Sequence, residues 1–289
     1  MYFILCAAMN RVSDLNLAIA TYNVGVLPSL SVFNYKSLYD ELSDDMIKFK
    51  SITNSNDIAI STCIDNVINI DKIIDMNPAY VEILGYDDRK QISTFEKLKR
   101  NNIKIILKQI YIENVSSIKD IAHTLYAIIL KNEKSAGLNC PQTKTLNEQV
   151  KVIREHYSNI RIIASGGVYD KNDIDEMIKD GADGVSIGTL FALSNESKIT
   201  NDVKSNLIAN KNKLSMIKKI NSPYFHNCIV FNKNIRTNHR IDSNYTNFLI
   251  EGIETGTKGL VYMGHAIKHI DKIETVKQIM KRLTENNYE

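Results

Sequence analysis

Glycine is sparse in this chain, 12 in 289 residues, yet Gly166 and Gly167 stand side by side directly after the apolar run Ile160–Ser165. A second apolar run, Gly184–Gly188, leads into Gly188-Thr189 one helical segment later. Glycine lets a backbone take positive φ and come close to a ligand. Free N–H groups there, with a helix N-terminus behind them, make an anion site, although two tight turns would use the same residues. Other groups able to do chemistry are scattered. Lys108 sits near the end of the run Lys104–Ile110, and is either a cation for a ligand or a strand-end lysine reaching for water. Glu82 lies inside the run Ala79–Gly85, with Asp87 and Asp88 after it. It either faces a core or pairs with a strand-end lysine, since buried glutamate is rare without a partner. His265 follows Gly264 in a compact turn. His123, His156, His226, His239 and His269 have no motif around them, and His226 and His239 could reach a site only if their segment folds over it.

Eight short, β-branched-rich runs must position these groups: Tyr2–Met9, Val24–Leu30, Asp57–Ile64, Ala79–Gly85, Lys104–Ile110, Leu125–Lys131, Ile160–Ser165 and Gly184–Gly188. They have strand length and polar ends. Helical spacing fills the gaps, at LNLAIATYN behind a Ser13 cap, Tyr35–Lys50, Ser93–Arg100, Leu146–His156 and Asp173–Asp180. Strand and helix in alternation imply right-handed βαβ units and a parallel sheet. Eight such units make an α/β (β/α)8 barrel. The alternative, an open doubly wound sheet, needs a reversal point that the pattern does not show. After Ala192 the pattern changes. Ser197–Ile220 is helical and rich in Lys and Asn, and Asn221–Asn247 is polar and irregular. GLVYMGHAIKHI and a last helix, Ile273–Leu283, then complete the chain. The expected division is a barrel over 1–198 and 249–289, with a helical and loop insertion, 199–248, near its mouth.

In such a barrel chemistry lies at the carboxyl ends of the strands, and the loops after the seventh and eighth strands are the usual phosphate position. Gly166, Gly167, Gly188 and Thr189 fall there. Composition excludes other classes. The net charge is +3 with signs interspersed, so no basic stripe points to nucleic acid. Cys6, Cys63, Cys140 and Cys228 are far apart, which argues against a disulfide framework or a metal site and for a reducing, cytoplasmic setting. The opening MYFILCAAM reads as a strand, not a leader, and no run is long enough to span a membrane.

The two glycine loops resemble those of the flavin-dependent barrels of the nitronate monooxygenase family, whose signature runs AAGGI, GADGV, GT.F. Here it stands as Ala164-Ser165-Gly166-Gly167-Val168, Gly181-Ala182-Asp183-Gly184-Val185 and Gly188-Thr189-Leu190-Phe191. Ala7-Ala8-Met9 with Val12-Ser13 is similar to the family's first-strand flavin loop. NIKIILKQ, Asn102–Gln109, is similar to its fifth strand, and Tyr262-Met263-Gly264-His265 to its late turn. The resemblance implies FMN, with its phosphate on Ser165, Gly166, Gly167, Gly188 and Thr189. The ring would lie on Ala8 and Met9, with Lys108 at its polar edge. It also implies an oxidoreductase acting on a small organic or acyl-thioester substrate; as partners, a homo-oligomer or a larger biosynthetic assembly is a separate expectation.

One departure stands out. The family's catalytic histidine follows the sixth strand in a motif like EAGGH, and this chain has Lys134-Ser135-Ala136-Gly137-Leu138. Leucine neither takes nor gives a proton. His265 is the candidate replacement, and a noncatalytic flavin- or partner-binding barrel is the competing expectation. Cys140 raises a resemblance to the barrels that oxidise or reduce purine nucleotides through a loop cysteine, but GLNCPQT keeps little of their loop.

Overall fold

A computed structural model describes residues 2–35, 40–63, 70–85, 92–108, 115–116, 118–139, 144–211, 217–219, 225–230 and 243–285. Cys140, Asp87, Asp88 and His239 lie outside them. The strands are β1 (Phe3–Cys6), β2 (Ser29–Ser31), β3 (Ala59–Cys63), β4 (Tyr80–Leu84), β5 (Lys104–Lys108), β6 (Leu125–Lys131), β7 (Gly137–Asn139), β8 (Arg161–Ser165), β9 (Gly184–Ile187), β10 (Ile217–Lys219), β11 (Phe225–Val230) and β12 (Leu260–Tyr262). The helices are α1 (Leu15–Tyr22), α2 (Glu41–Thr53), α3 (Ile70–Met76), α4 (Ile92–Arg100), α5 (Leu146–His156), α6 (Lys171–Lys179), α7 (Thr189–Ala192), α8 (Asn201–Ala209), α9 (Ser243–Thr255) and α10 (Val276–Thr284).

Eight strands form one parallel sheet in the order β1-β9-β8-β6-β5-β4-β3-β2. The open edges meet where Leu5 bridges Leu27 in parallel, with Cys6 N–H donating to Leu27 O and Leu27 N–H to Ile4 O, both at 2.9 Å. That closure makes the sheet a (β/α)8 barrel and removes the open-sheet alternative. Each of the eight expected runs supplies one barrel strand.

Side chains alternate across a strand, so each strand feeds two cores. Ile105 and Leu107 of β5 join the layer between sheet and helices, with Ile4, Ile60, Val81, Ile128, Ile162 and Val185. Ile106 turns inward to pack with Leu5, Ala59, Tyr80, Ile129 and Ile163. Burial on both faces is why these strands read as continuous apolar runs. One step further along the inward set the chemistry changes to Ser61, Glu82, Lys108, Lys131, Ser165 and Ser186. The barrel is therefore greasy in the middle and polar at its carboxyl mouth.

Two local expectations change. Ser13 does not cap α1. Asp14 does, accepting from Leu17 N–H at 3.0 Å, because α1 begins at Leu15 and Asp14 is the residue directly before it. The segment expected to be helix and loop holds α8 and α9 but also β10 and β11. These form a second, antiparallel sheet in which β11 pairs with β10, β12 and β7. Strands of three to six residues that do not alternate polar and apolar side chains, such as FHNCIV of β11, give no period-2 signal strong enough to read. Among the described residues no helix is long and apolar enough to cross a membrane.

Candidate functional site

A cavity of about 580 Å³ opens at the carboxyl mouth of the barrel, within the usual size of small-molecule sites. Its floor is the polar inward set named above. One wall is the first-strand loop with Ala8, Met9 and Asn10, and the two glycine loops stand beside it, since β9 pairs with β1 and β8 with β9. The apolar side comes from Leu249 and Ile253 of α9 and from Val261 and Tyr262 of β12. Charged lining among the described residues is three lysines, Lys108, Lys131 and Lys134, against the single carboxylate of Glu82. The cavity therefore favours an anionic ligand.

The first-strand loop is tied to itself. Ser13 Oγ accepts from Met9 N–H at 2.9 Å and donates to Ala7 O at 3.3 Å, and Ala7 N–H reaches Ile187 O at 3.0 Å. Ser13 thus shapes the wall that carries Ala8 and Met9. Removing both ties in Ser13→Ala is expected to cost about 1–2 kcal/mol of stability, read as a lowered melting temperature. An unchanged melt would count against this role.

The Ser165-Gly166-Gly167 loop is locked from the neighbouring turn. Asn132 N–H donates to Ser165 O at 3.0 Å, Asn132 Nδ2 to Gly166 O at 3.0 Å, and Ser135 Oγ to Ser165 O at 2.8 Å. Gly166 and Gly167 have φ of +124° and +83°. A Cβ at Gly166 would fall inside the contact shell of Asn132 Oδ1 and Ser135 Oγ, and one at Gly167 would stand 2.8 Å from Lys134 Cδ. Gly188 differs. Its φ is −110°, and a Cβ there would make ordinary contacts at 3.6 Å with Ala7 and Met9. The amides of Gly166, Gly167 and Gly188 have no acceptor among the described residues. Thr189 Oγ1 accepts from Gly264 N–H at 3.0 Å, pinning the late turn to the end of β9.

Lys108 turns inward instead of reaching for water. Its Nζ lies 2.9 Å from Glu82 Oε1, which also accepts from Ser61 Oγ at 2.9 Å. Glu82 is fully buried, as an ion-paired carboxylate inside the barrel mouth. Lys131, which sequence reasoning passed over, is a buried lysine whose Nζ donates to Ala136 O at 2.9 Å. It falls on the inward parity of β6, and that signal could have found it. Three cavity-bordering atoms are buried without a partner: Asn10 Oδ1, Glu82 Oε2 and Ser186 Oγ.

The histidines separate. His265 opens a 3-10 turn, and its N–H donates to Lys134 O at 2.9 Å. Gly264 and Ala266 on either side of it line the cavity, but His265 is not among the lining residues. Burial, helped by Lys268 and Lys134 and opposed by Glu133, holds its imidazole below the usual histidine range. The unfolded chain therefore binds the extra proton more readily, and stability should fall as pH drops below about 6.5. His265→Gln is expected to flatten that part of the melting profile, and equal profiles would refute the assignment. His156 is exposed on α5. The pairing of β11 with β7 sets His226 directly opposite Leu138, a register no local pattern announces.

The site is thus the carboxyl mouth of a closed (β/α)8 barrel, bordered by three lysines and two glycine loops, with a charge that suits an anionic small molecule. The sequence model of the nitronate monooxygenase family matches residues 54–286, and the chain belongs to that family. No curated protein sequence matches it. Among solved structures, FabK from Thermotoga maritima is 18% identical with a TM-score of 0.77, over 98% of this chain and 91% of that one. Nitroalkane oxidase from Streptomyces ansochromogenes is 14% identical with a TM-score of 0.74, over 97% and 94%. The enoyl reductase domain of MlnA from Bacillus amyloliquefaciens is 16% identical with a TM-score of 0.55, over 72% and 58%. At these identities the likeness is one of fold.

Proposed function

We propose that the chain is an FMN-dependent oxidoreductase acting on a small organic or acyl-thioester substrate. The observation that carries the reading is the meeting, in one cavity, of unfilled glycine-loop amides on one wall and the Lys108 ammonium on the floor. The residues fit the cofactor. The amides of Gly166, Gly167, Gly188 and Thr189, with Lys134 beside Gly167, suit a phosphate dianion. Ala8 and Met9 offer an apolar shelf for the ring. The partnerless Asn10 Oδ1 and Ser186 Oγ can accept from its imide N–H. FMN, when bound, supplies two-electron hydride chemistry. Lys108 would offset the negative charge that builds on the ring's polar edge. Leu249, Ile253 and Val261 keep water from the apolar side of the cavity. The oxidoreductases named among the structural neighbours support the class.

A second reading, a barrel that binds ligand without turnover, is favoured by Leu138, which puts no proton-transfer group where the family carries its histidine. His226, opposite it in the register, and His265 are the candidates to supply one; His226→Ala and His265→Ala test each against turnover.

The reading is tested by absorption titration. The purified protein, stripped and titrated with FMN, is expected to bind it with shifted flavin bands that survive desalting. Gly188→Asp, which adds a carboxylate beside the proposed phosphate, should weaken uptake at least roughly tenfold, or about 1.4 kcal/mol. A protein that leaves the FMN spectrum unchanged overturns the reading and moves a purine nucleotide or another phosphate ahead. Turnover with a nicotinamide or a nitroalkane separates enzyme from binder.

A further inference from the structure

We propose that Glu82 is a positioning residue: it holds the Lys108 ammonium at the cavity floor as one half of a neutral pair, and through Lys108 sets the reduction potential of the bound flavin. The proposal rests on the FMN reading above and adds to it a residue that acts through Lys108.

The register shows how the pair is built. On neighbouring strands Leu84 stands opposite Lys108, and Glu82 opposite Ile106. The carboxylate is therefore one inward layer deeper than the lysine that reaches it. A lysine at a strand end normally extends to water. Lys108 bends down the barrel instead, its side chain only 12% exposed and its Nζ 2.9 Å from Glu82 Oε1. Ser61 Oγ donates to the same oxygen and fixes the carboxylate's rotation.

Stability does not account for this arrangement. Glu82 is fully buried and its Oε2 has no partner, and a buried ion pair is commonly matched or bettered by apolar residues of the same volume. A half-satisfied buried carboxylate persists where a site uses it. Its effect follows from charge. A lone ammonium beside a ring that gains negative charge on reduction favours the reduced form and raises the potential. A fixed carboxylate behind the ammonium offsets most of that field and leaves a dipole whose positive end faces the cavity, because Lys108 is the more exposed partner.

The test is the midpoint potential of bound FMN, measured by dye equilibration in the wild type, Glu82→Gln, Lys108→Met and the double variant Glu82→Met/Lys108→Met. Glu82→Gln should shift the potential positive, Lys108→Met should shift it negative, and the double variant should return close to wild type. The double variant keeps the test open if a single variant fails to fold, since a neutral pair and a lone lysine predict different potentials for it. FMN bound by Glu82→Gln at an unmoved potential, or a double variant shifted as far as Lys108→Met, overturns the proposal and leaves the FMN reading standing. A wild type that binds no FMN overturns both.

Discussion

Gly166→Ala is expected to lose cofactor uptake and about 2–4 kcal/mol of stability together, while Gly188→Ala stays within about 1 kcal/mol of wild type. The two glycines look alike in sequence, each closing a strand at the mouth, and their surroundings separate them. At Gly166 the φ of +124° lies where side-chain-bearing residues rarely go, and the new methyl would collide with Asn132 and Ser135. Those two residues cannot retreat cheaply, because each is hydrogen-bonded to the Ser165–Gly166 backbone. Moving them misplaces the amides that would hold a phosphate. At Gly188 the backbone is ordinary and the methyl meets Ala7 and Met9 at 3.6 Å, so any loss there should be one of binding. Thermal unfolding beside FMN titration reads both. A Gly166→Ala protein that melts like wild type would show that the loop is not locked as described.

The second large effect is expected from Lys108→Met. Removing the ammonium leaves Glu82 fully buried, with Ser61 as its remaining described partner. Breaking one side of a buried pair typically costs about 3–5 kcal/mol, whereas replacing both sides with apolar residues is often neutral. Glu82→Met/Lys108→Met should therefore recover most of the stability that Lys108→Met loses, a non-additivity that a double-mutant cycle reads directly. If the losses simply add, the pair is not the unit described here. A related difference separates the cysteines. Burial, and then the charge of Glu82, push the Cys6 thiol far above the usual range, so Cys6 should resist alkylation that reaches the half-buried Cys63 at the cavity.

Much of the fold was legible in order. Each apolar run carries a strand because it is buried on two faces, and the helices between show their own period and caps, as in the Thr145–Glu148 capping box of α5. The glycine loops were legible because few residues can end a strand that way. Less legible were β7, β10 and β11, short strands without a clear alternation, of which β7 and β11 owe their pairing to partners far along the chain. Ser13 was misread as a cap because it stands beside Asp14 and is an equally good capping type. Its true bonds run back to Ala7 and Met9.

What the sequence by itself determined is local: the alternation of strand and helix, and the glycines at two strand ends. The tertiary structure alone decided which inward residues meet. Lys108 finds Glu82 because the β4–β5 register sets one a layer above the other, and Asn132 and Ser135 lock Gly166 because β6 lies beside β8; the pairing of β11 with β7 likewise sets position 226 opposite position 138 in register. Side-chain periodicity is written in neighbouring residues, whereas register and barrel closure balance contacts over the whole chain, so no single stretch carries them.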